Sequence, residues 1–569
     1  MTDQLRSAVT RALSMALPAA AAALLAACGG SGSAPPAAGI APAPSAGQVA
    51  PQAAAAQVSY YAASRFAEQV SFGPTPALVA EIRSKGFAKW IDDQFALPAS
   101  QIDVTPYLSF VDPTPSEDWS RYRNEFPKLA LSAADQLRLR VSWSLSQFVT
   151  LSDRKGDLVG VLYWINLLQQ HSLGGYDELL YQTSINRAMG HYLDNDQNRP
   201  KSASCSWCAP NENFARELMQ LFSLGVLKLN ADGTPMRDAR GRALETYTQR
   251  DVEELARVLT GWTTDPVPPD RPQRNWANWA RPMVPSTWPP ERDAGAKTVL
   301  GRNFPAGQTH AKDLRDAIDM LMAHPNIAPF VAARLIQHLV KSNPTPAYVA
   351  RMAAVFQNNG HNVKGDLKAV VKAILLDAEA RAGDSPATAR ADDGKLREPF
   401  LHRAAMWRGL GCTRFPANQW GPIQADAQRP FSPESVFSFY APTDRAPGSN
   451  LLAPEQKVLI TTELQQRFTQ QEWARRNWSA QTQTHDLSAY REAGCGIDEL
   501  IATYQRSASG YIDFLADRYF RGAMPPTLRS NIEQFTRLQY PPWNKNDPSD
   551  APLRLLGFAL ATPYFGASK

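Results

Sequence analysis

The chain has 569 residues, of which 44% are hydrophobic and 20% charged, proportions typical of a globular protein rather than a disordered or fibrous one. Its 59 Lys and Arg residues against 54 Asp and Glu leave a formal net charge of +5. So small an excess, spread evenly along the chain, argues against a nucleic-acid-binding protein, and we expect no nucleic-acid partner.

Residues 1–27 have the pattern of an export signal. Arg6 and Arg11 supply a positive start, and residues 12–27 form an apolar run that is too short to span a bilayer comfortably. The run ends in Leu-Ala-Ala-Cys, which resembles the processing box of bacterial lipoproteins, where the cysteine is lipidated and becomes the new N-terminus. We therefore expect a lipoprotein signal peptide and a lipid anchor at Cys28, with an ordinary secretory signal as the alternative.

The anchor predicts a location in the cell envelope, with the membrane as a partner. Gly29 and Gly30 follow the cysteine, whereas an aspartate there favours retention in the inner membrane, so the outer membrane is predicted. Residues 28–57 are Ala, Pro, Gly and Ser with almost no charge and form a predicted tether, because they cannot bury enough apolar area to fold. The body is then expected in the periplasm or at the cell surface.

Four further cysteines agree with an oxidising compartment. Four cysteines allow three disulfide pairings, and one of them joins Cys205 to Cys208 and Cys412 to Cys495. A redox Cys-x-x-Cys pair is the less favoured alternative, since no strand pattern precedes it. Zinc would need a second ligand pair, and none is suitably spaced.

Beyond residue 58 apolar residues recur at helical spacing, so the predicted fold class is mostly α. We expect a single large multi-helical body, residues 58–569, with one small β-hairpin and long Pro/Trp-rich loops. Thr75-Pro76 and Gly86 bracket one helix, Ser132 and Asp135 suggest a capping box before another, and Asp232-Gly233 predicts the hairpin between Val226 and Thr246. Further helices are predicted at about 157–171, 176–193, 212–224, 248–260, 311–323, 327–341, 346–358, 365–377, 395–408, 453–474, 497–519, 526–537 and 551–561.

The longest irregular loop runs from Thr263 to Ala294 and contains eight prolines. It also carries Trp276, Trp279 and Trp288. Such rings stack on sugars in some proteins, but we expect them here to fasten the loop to the body.

The segment from Pro210 to Gly225 is the strongest candidate for chemistry. Asn211 is a suitable N-cap and Gly225 a suitable stop for a helix that is apolar on one face and polar on the other. If the polar face lies in a cleft, Arg216 binds an anionic or carbonyl group, and Glu212 or Glu217 acts as acid or base, with Asn213 in support. A solvated surface helix and a buried hydrogen-bond network are the alternatives.

The Pro-Asn-Glu-Asn-Phe-Ala-Arg-Glu run at residues 210–217, followed by Leu224-Gly225, resembles a motif of the bacterial "domain of unknown function 1800" family. The resemblance covers about residues 60–565. It implies an exported, mainly helical body with no established reaction, often encoded beside exported alkaline-phosphatase-like proteins, which are thus a possible partner. Further matching segments are residues 72–75, 135–138, 188–190, 247–252, 259–262, 297–301, 324–330, 335–337, 396–399 and 435–440.

One departure from the family pattern concerns chemistry. Many members carry His-Asp shortly before the Lys-Thr-x-Leu-Gly motif, whereas this chain has Arg292-Asp293. The change removes support for a histidine base or metal ligand there. Asp293 and Lys297 remain supporting candidates, with an ordinary loop ion pair as the default.

Other polar residues are weaker candidates. His324, before Pro325, is kept as a supporting residue, and His338 is predicted to pack in the core. Asp194, Asp196 and Asn198 imitate a calcium loop that lacks its glycine and its final glutamate. No metal site is predicted, and no cofactor is identified.

Two functions follow from these observations. The first is a hydrolytic enzyme that acts on an envelope or extracellular polymer, with Glu212, Arg216 and Glu217 at the site and the Trp-rich loop over it. The second is a non-catalytic envelope module that binds or assembles with an exported partner protein or a glycan. Burial distinguishes them, because an enzyme requires Arg216 and Glu217 to line a pocket beside Asp293 or His324.

Overall fold

The computed structural model describes residues 57–107, 122–155, 157–265, 276–390, 393–416, 427–469, 478–479, 484–538 and 546–568. Residues 57–569 form one compact unit. The predicted signal peptide, Cys28 and the tether up to residue 56 lie outside the described residues. None of the helices in the described ranges is long and apolar enough to cross a membrane.

The body is mostly α-helical, which confirms the predicted fold class. Its first ten helices are α1 (Tyr60–Val70), α2 (Pro76–Lys85), α3 (Phe87–Ala96), α4 (Glu125–Ser132), α5 (Gln136–Ser146), α6 (Leu158–His171), α7 (Tyr176–Ile185), α8 (Arg187–Tyr192), α9 (Asn213–Gln220) and α10 (Gln249–Val258). They are followed by α11 (His310–Ala323), α12 (Ile327–Leu339), α13 (Pro346–Gln357), α14 (Leu367–Leu376), α15 (Ala378–Arg381), α16 (Pro399–Gly409), α17 (Thr461–Thr469), α18 (Ser488–Glu492), α19 (Ile497–Arg506), α20 (Ala508–Tyr519), α21 (Pro526–Leu538), α22 (Asp550–Ala561) and α23 (Pro563–Gly566). Short 3₁₀ turns occur at Thr105–Tyr107, Trp276–Ala280, Pro289–Glu291 and Pro454–Val458.

Helix ends follow local capping rules in several places. The Thr75 hydroxyl accepts a hydrogen bond from the Leu78 amide at 3.1 Å, and Gly86, at φ 76°, ends the same helix. The predicted capping box at Ser132 is wrong, because Ser132 closes α4 and its hydroxyl donates to the Lys128 carbonyl oxygen. Asp135 instead accepts a hydrogen bond from the Ser100 amide at 2.8 Å.

Two of the predicted helices are each divided in two. Asn186 has extended backbone between α7 and α8 and caps α8 by accepting from the Met189 amide at 2.9 Å. Ser507, also extended, separates α19 from α20 and accepts from the Gly510 amide at 3.1 Å. Both residues are strong N-caps, and a cap with extended backbone interrupts an otherwise continuous apolar stripe.

Strands are short and pair into antiparallel two-stranded ladders. These are β1 (Trp262–Thr263) with β2 (Val284–Pro285), β3 (Lys297–Val299) with β4 (Arg302–Phe304), β5 (Lys395–Leu396) with β8 (Ala567–Ser568), and β6 (Trp478–Ser479) with β7 (Thr484–His485). The predicted turn at Asp232-Gly233 is present, with the Asn230 amide donating to the Thr234 carbonyl oxygen at 2.8 Å. On either side of this turn the chain forms isolated β-bridges rather than two regular strands, because a second tight turn at residues 238–242 interrupts the strand pairing.

Helix α5 lies at the centre of the body. Every residue of α5 is buried, and the helix packs against α1, α3, α4, α6 and α12. A cluster of stacked and tilted rings, which includes Phe126, Trp143 and Phe400, joins α5 to α4 and to the equally buried α16. The polar side chains of α5 are therefore sealed inside the body, where each needs a partner.

The structure contains the disulfides Cys205–Cys208 and Cys412–Cys495. The first closes a four-residue loop before α9, and the second joins the end of α16 to the start of α19.

Candidate functional site

The predicted catalytic helix is α9, and its exposed edge carries a ladder of polar contacts. The Arg216 guanidinium donates to Glu212 at 2.8 Å and to the Gln249 side-chain oxygen at 3.1 Å. The Gln249 amide in turn donates to Glu212 at 2.8 Å. The Arg216 and Glu212 side chains are 37% and 33% exposed, so this is a solvated i,i+4 ion pair of modest strength at the start of α9, and Gln249 links it to α10.

Glu217 points to the other side of α9 and is only 5% exposed. Its Oε2 atom has no hydrogen-bond partner, and burial raises the pKa of this carboxyl against the opposing effect of Arg216. Tyr192 lies close by: burial and the Glu217 charge raise its pKa to about 12. Glu217 is thus a largely sealed carboxyl rather than a group in an open pocket.

Asn213 connects α9 to the loop that resembles a calcium site. Its amide donates to Asp194 at 3.2 Å, and Asp194 also pairs with Lys155 at 2.5 Å. Asp196 accepts from the Thr264 hydroxyl at 3.1 Å, and Asn198 accepts from the Asn211 amide. Within the described ranges no group of three His, Cys, Asp or Glu side chains is placed to hold a metal ion.

Asp293 and Lys297 belong to two different ion pairs. Asp293 forms a two-pronged pair with Arg257 at 2.7 and 3.2 Å, and this pairing keeps its pKa low although burial opposes the shift. Lys297 is buried and lies 3.1 Å from Asp313, which also pairs with Arg292 at 2.5 Å. Arg292, at the position of the family's histidine, thus neutralises a buried carboxylate.

His324 ends α11, and its Nδ1 atom accepts a hydrogen bond from the Asn326 amide at 3.1 Å. Burial and the charges of Lys228 and Lys364 lower its pKa. In the described part of the chain no hydrogen bond or ion pair links Arg216 or Glu217 to Asp293, Lys297 or His324. The structure therefore places the predicted site residues in separate groups.

The Trp-rich loop is fastened to the body, as predicted, at Trp279. The Arg187 guanidinium stacks 4.0 Å from the centre of this indole, and His191 meets it edge to face at 5.4 Å. Trp288 is 47% exposed. The loop segment 266–275 and the Trp276 side chain lie outside the described residues.

A different group of residues forms a cleft of about 210 Å³ between α9, α12 and the loop before the 3₁₀ turn at Pro454. We call it the aromatic cleft. It is lined by Gln147, Phe148, Gln220, Leu221, Gly225, Val226, Phe330, Arg334, His338, Val436, Phe437, Tyr440, Ala441, Pro442 and Thr443. The last residue of α9, Gln220, lines the cleft. The helix that was predicted to be catalytic therefore forms part of one wall, but not through Glu212, Arg216 or Glu217.

Helical spacing explains one wall of the cleft. Phe330, Arg334 and His338 are four residues apart and lie in a row along α12. Gly225 ends the α9 segment at φ 75°, and an added Cβ there would lie 3.1 Å from the Phe330 ring. Glycine therefore permits both the left-handed turn and the close approach that complete this wall.

His338 stacks with two aromatic rings. The Phe148 and Tyr440 rings both stack with it, each with its centre 6.3 Å from the imidazole centre. His338 is 5% exposed, and its Nδ1 atom is buried without a hydrogen-bond partner. The predicted packing of His338 in the core is confirmed by its burial, but the side chain also lines the cleft.

Below the cleft lies a buried charged network of Arg140, Lys395, Glu398 and Glu455. Lys395 Nζ is 3.0 Å from Glu398 and 3.5 Å from Glu455. Both Lys395 and Arg140 also donate to the His338 carbonyl oxygen, at 3.3 and 2.6 Å. These bonds tie the backbone of α12 to α5 and to the chain before α16, and so hold His338 in place.

The two carboxyls of the network have opposite pKa shifts. Burial alone would raise the pKa of Glu398, but the charges of Lys395 and Arg140 outweigh it and bring the value to about 2. Burial dominates at Glu455 and raises its pKa. Burial, together with Lys395, lowers the pKa of His338 well below 6.5. The imidazole is therefore neutral at neutral pH and can accept a proton.

Sequence reasoning did not combine these residues into a site. Glu398 lies in the Leu-Arg-Glu-Pro segment at residues 396–399, and Tyr440 ends the segment at residues 435–440, both of which carried the family resemblance. His338 was separated from them by 60 residues or more. The available signals were a charged residue and an aromatic run inside the segments that resemble the family. These signals do not show which histidine lies near them in the folded protein.

The fold and the cleft define a mostly helical protein with an aromatic-lined cleft above a buried charged network. The chain belongs to the family described as "Protein of unknown function (DUF1800)", whose model matches residues 65–567. This confirms the resemblance found in the sequence. No curated protein and no solved structure matches the chain.

Proposed function

We propose that the protein is a lipid-anchored cell-envelope enzyme that hydrolyses an envelope or extracellular polymer in the aromatic cleft. One observation supports this most strongly: the cleft combines a neutral, stacked imidazole at His338 with the guanidinium of Arg334 on the same helix face. Perturbed acid–base groups that converge in a concave site are typical of catalytic centres. The proposal moves the chemistry from Glu212, Arg216 and Glu217 to α12.

In this proposal His338 is the base. The imidazole accepts a proton from a water molecule as the water oxygen bonds to the electrophilic atom of the substrate. The bond to the leaving oxygen then breaks, and the imidazolium returns the proton to that oxygen. Arg334 binds negative charge on the substrate, and the charged network keeps α12 fixed during both transfers.

The cellular part of the proposal rests on the N-terminal sequence. Lipid at Cys28 and the tether up to residue 57 would hold the body at the outer membrane, in the periplasm or at the cell surface. Mass spectrometry of the protein purified from its native host tests this directly. We expect a mature chain that begins with acylated Cys28, and an unmodified residue 28, or retention of residues 1–27, would contradict it.

The enzymatic part is tested with the full chain in detergent and polymer extracted from the envelope of the producing cells. We expect wild-type protein to release soluble fragments with new chain ends, and His338→Gln to release none. Arg216→Met is the matched control, because Arg216 lies outside the cleft lining, and it should retain wild-type activity. Loss of activity in Arg216→Met together with full activity in His338→Gln would overturn the assignment.

A non-catalytic binding or assembly module is the second candidate function. The sealed position of Glu217 and the solvated Glu212–Arg216 pair favour it, since neither is placed for catalysis at α9. Trp207, which is 83% exposed inside the small Cys205–Cys208 loop, would then contact a partner, such as an exported alkaline-phosphatase-like protein or a glycan. Co-purification that survives His338→Gln but is lost in Trp207→Ser would support this function over the enzyme.

A further inference from the structure

Arg334 is a cation of the cleft lining that no carboxylate of the described residues neutralises. Among the described residues its hydrogen-bond partner is the side-chain oxygen of Gln337, at 2.6 Å, and no Asp or Glu lies within ion-pair distance. Its guanidinium also lies over the Phe330 ring, 5.2 Å from the ring centre. The side chain is partly buried and lines the cleft.

Burial of a charge without a counterion is costly in folding. Burial lowers the pKa of Arg334 to about 10, which still leaves it charged at neutral pH. Other buried arginines of the described residues have several acceptors: Arg397 pairs with Glu68 at 2.8 Å, and Arg408, which has no carboxylate partner, donates to the backbone carbonyl oxygens of Gly73 and Leu131 at 2.7 Å. An anion-binding site requires an uncompensated guanidinium in an open cleft, since the bound anion then supplies the missing negative charge.

The size of the cleft limits the ligand. Its volume of about 210 Å³ is below the roughly 300–1,000 Å³ of pockets that enclose drug-sized ligands, so it has room for one substituent or one ring but not for an extended chain. Phe437 is 49% exposed at the cleft and offers a flat apolar face next to the entrance. A polymer would then lie across Phe437 and place a single unit inside.

We propose that the aromatic cleft binds one carboxylate-bearing sugar unit of a glycan, with its carboxylate on Arg334 and its ring against Phe437. The inference rests on the proposed function and names its substrate class. Arg334 and the neutral His338 together supply one positive charge, which matches one carboxylate. The planar guanidinium fork matches a carboxylate in shape as well.

A consequence for His338 follows from the charges that act on it. Lys395, Arg140 and Arg334 disfavour the imidazolium, and Glu398 favours it. A carboxylate bound to Arg334 cancels one of the three opposing positive charges and raises the basicity of His338. The substrate thus helps to activate the base that attacks it, whereas a neutral sugar would not.

The test uses the full chain in detergent and two probes of equal length: trigalacturonate and its methyl ester. The ester has nearly the same shape but no charge. We expect calorimetry to show about tenfold or more tighter binding of the acid, and Arg334→Gln to abolish that preference. Phe437→Ser should weaken both probes. Equal binding of acid and ester, or an unchanged preference in Arg334→Gln, would overturn the inference.

Matched controls separate local from general effects. Arg250→Gln removes an exposed arginine, and Trp288→Ser removes an aromatic side chain of similar exposure; neither residue lines the cleft. Both should leave the preference unchanged. If phosphate or a phosphodiester displaced the acid more strongly than acetate did at equal concentration, the carboxylate assignment would be overturned in favour of phosphate.

The outcomes also distinguish the inference from the proposed function. Arg334-dependent binding of the acid without cleavage of any polymer would refute the enzyme and leave the ligand class intact. Cleavage of a neutral polymer that depends on His338 but not on Arg334 would refute the ligand class and leave the enzyme intact. A nuclear magnetic resonance titration of His338 adds a readout specific to the site, because its pKa should rise with the acid and not with the ester.

Discussion

Glu398 is the residue whose removal should perturb the charged network most. Its side chain is fully buried, accepts from Lys395 at 3.0 Å and from Gln428, and has a pKa of about 2 compared with an ordinary value of 4.5. The difference of about 2.5 pKa units corresponds to about 3 kcal/mol of stability at neutral pH. Removal of one partner from a buried ion pair typically costs about 3–5 kcal/mol, which agrees with this value. Glu398→Gln should therefore lower the free energy of unfolding by about 3 kcal/mol at pH 7.

The pH dependence of this difference has a definite sign. Because the pKa is lower in the folded state, the stabilisation is fully present above pH 4.5 and is lost as the pH falls towards 2. The difference in unfolding free energy between wild type and Glu398→Gln should decrease below pH 4.5 and reach about half of its value at pH 7 near pH 3. Urea unfolding followed by circular dichroism measures it. Glu434→Gln, which removes an 86% exposed carboxylate, is the control and should change little. A Glu398→Gln protein as stable as wild type at pH 7, or a deficit that does not depend on pH, would refute the reasoning.

Two further predictions concern stability. Burial raises the pKa of Glu217 above its unfolded value, so ionisation destabilises the folded protein as the pH rises past 4.5. Glu217→Gln should therefore be more stable than wild type at pH 7 and equally stable near pH 4 in thermal unfolding, and a less stable variant at pH 7 would show that Arg216 compensates the carboxylate. Replacement of both Cys412 and Cys495 by alanine removes a disulfide between residues 83 positions apart, and it should lower the free energy of unfolding by about 4.5 kcal/mol. The same change at Cys205 and Cys208, three residues apart, should cost under about 2 kcal/mol, and the opposite ranking in urea unfolding would contradict the loop-length argument.

The helical class and many helix ends could be predicted because they depend on local chemistry. Thr75 and Gly86 specify their helix through their own backbone and side-chain preferences. Where the local signal was ambiguous, the prediction failed: Ser132 satisfies its hydroxyl within α4, and Asn186 divides one predicted helix in two. In both cases the competing choice is another local hydrogen bond of similar strength.

The candidate site was harder to predict because its parts come together only in the tertiary structure. Periodicity places Glu217 on the polar side of α9, yet its side chain is only 5% exposed in the folded body. His338 has apolar neighbours on α12 and was expected in the core. Its position in the cleft depends on Phe148 and Tyr440, which are distant in sequence. The anion site is inferred from Arg334, which lines the cleft without a carboxylate partner, and sequence spacing does not contain that information.

The central claim is that the protein works through the aromatic cleft and not through the exposed edge of α9. Complementation of a deletion in the native host tests it most directly, with His338→Gln and Arg334→Gln compared with Glu212→Gln and Arg216→Met. All four proteins should first be shown to accumulate to the wild-type level. We predict that the two cleft variants behave like the deletion and that the two α9 variants restore the wild-type phenotype. Full restoration by both cleft variants, with failure of the α9 variants, would contradict the account.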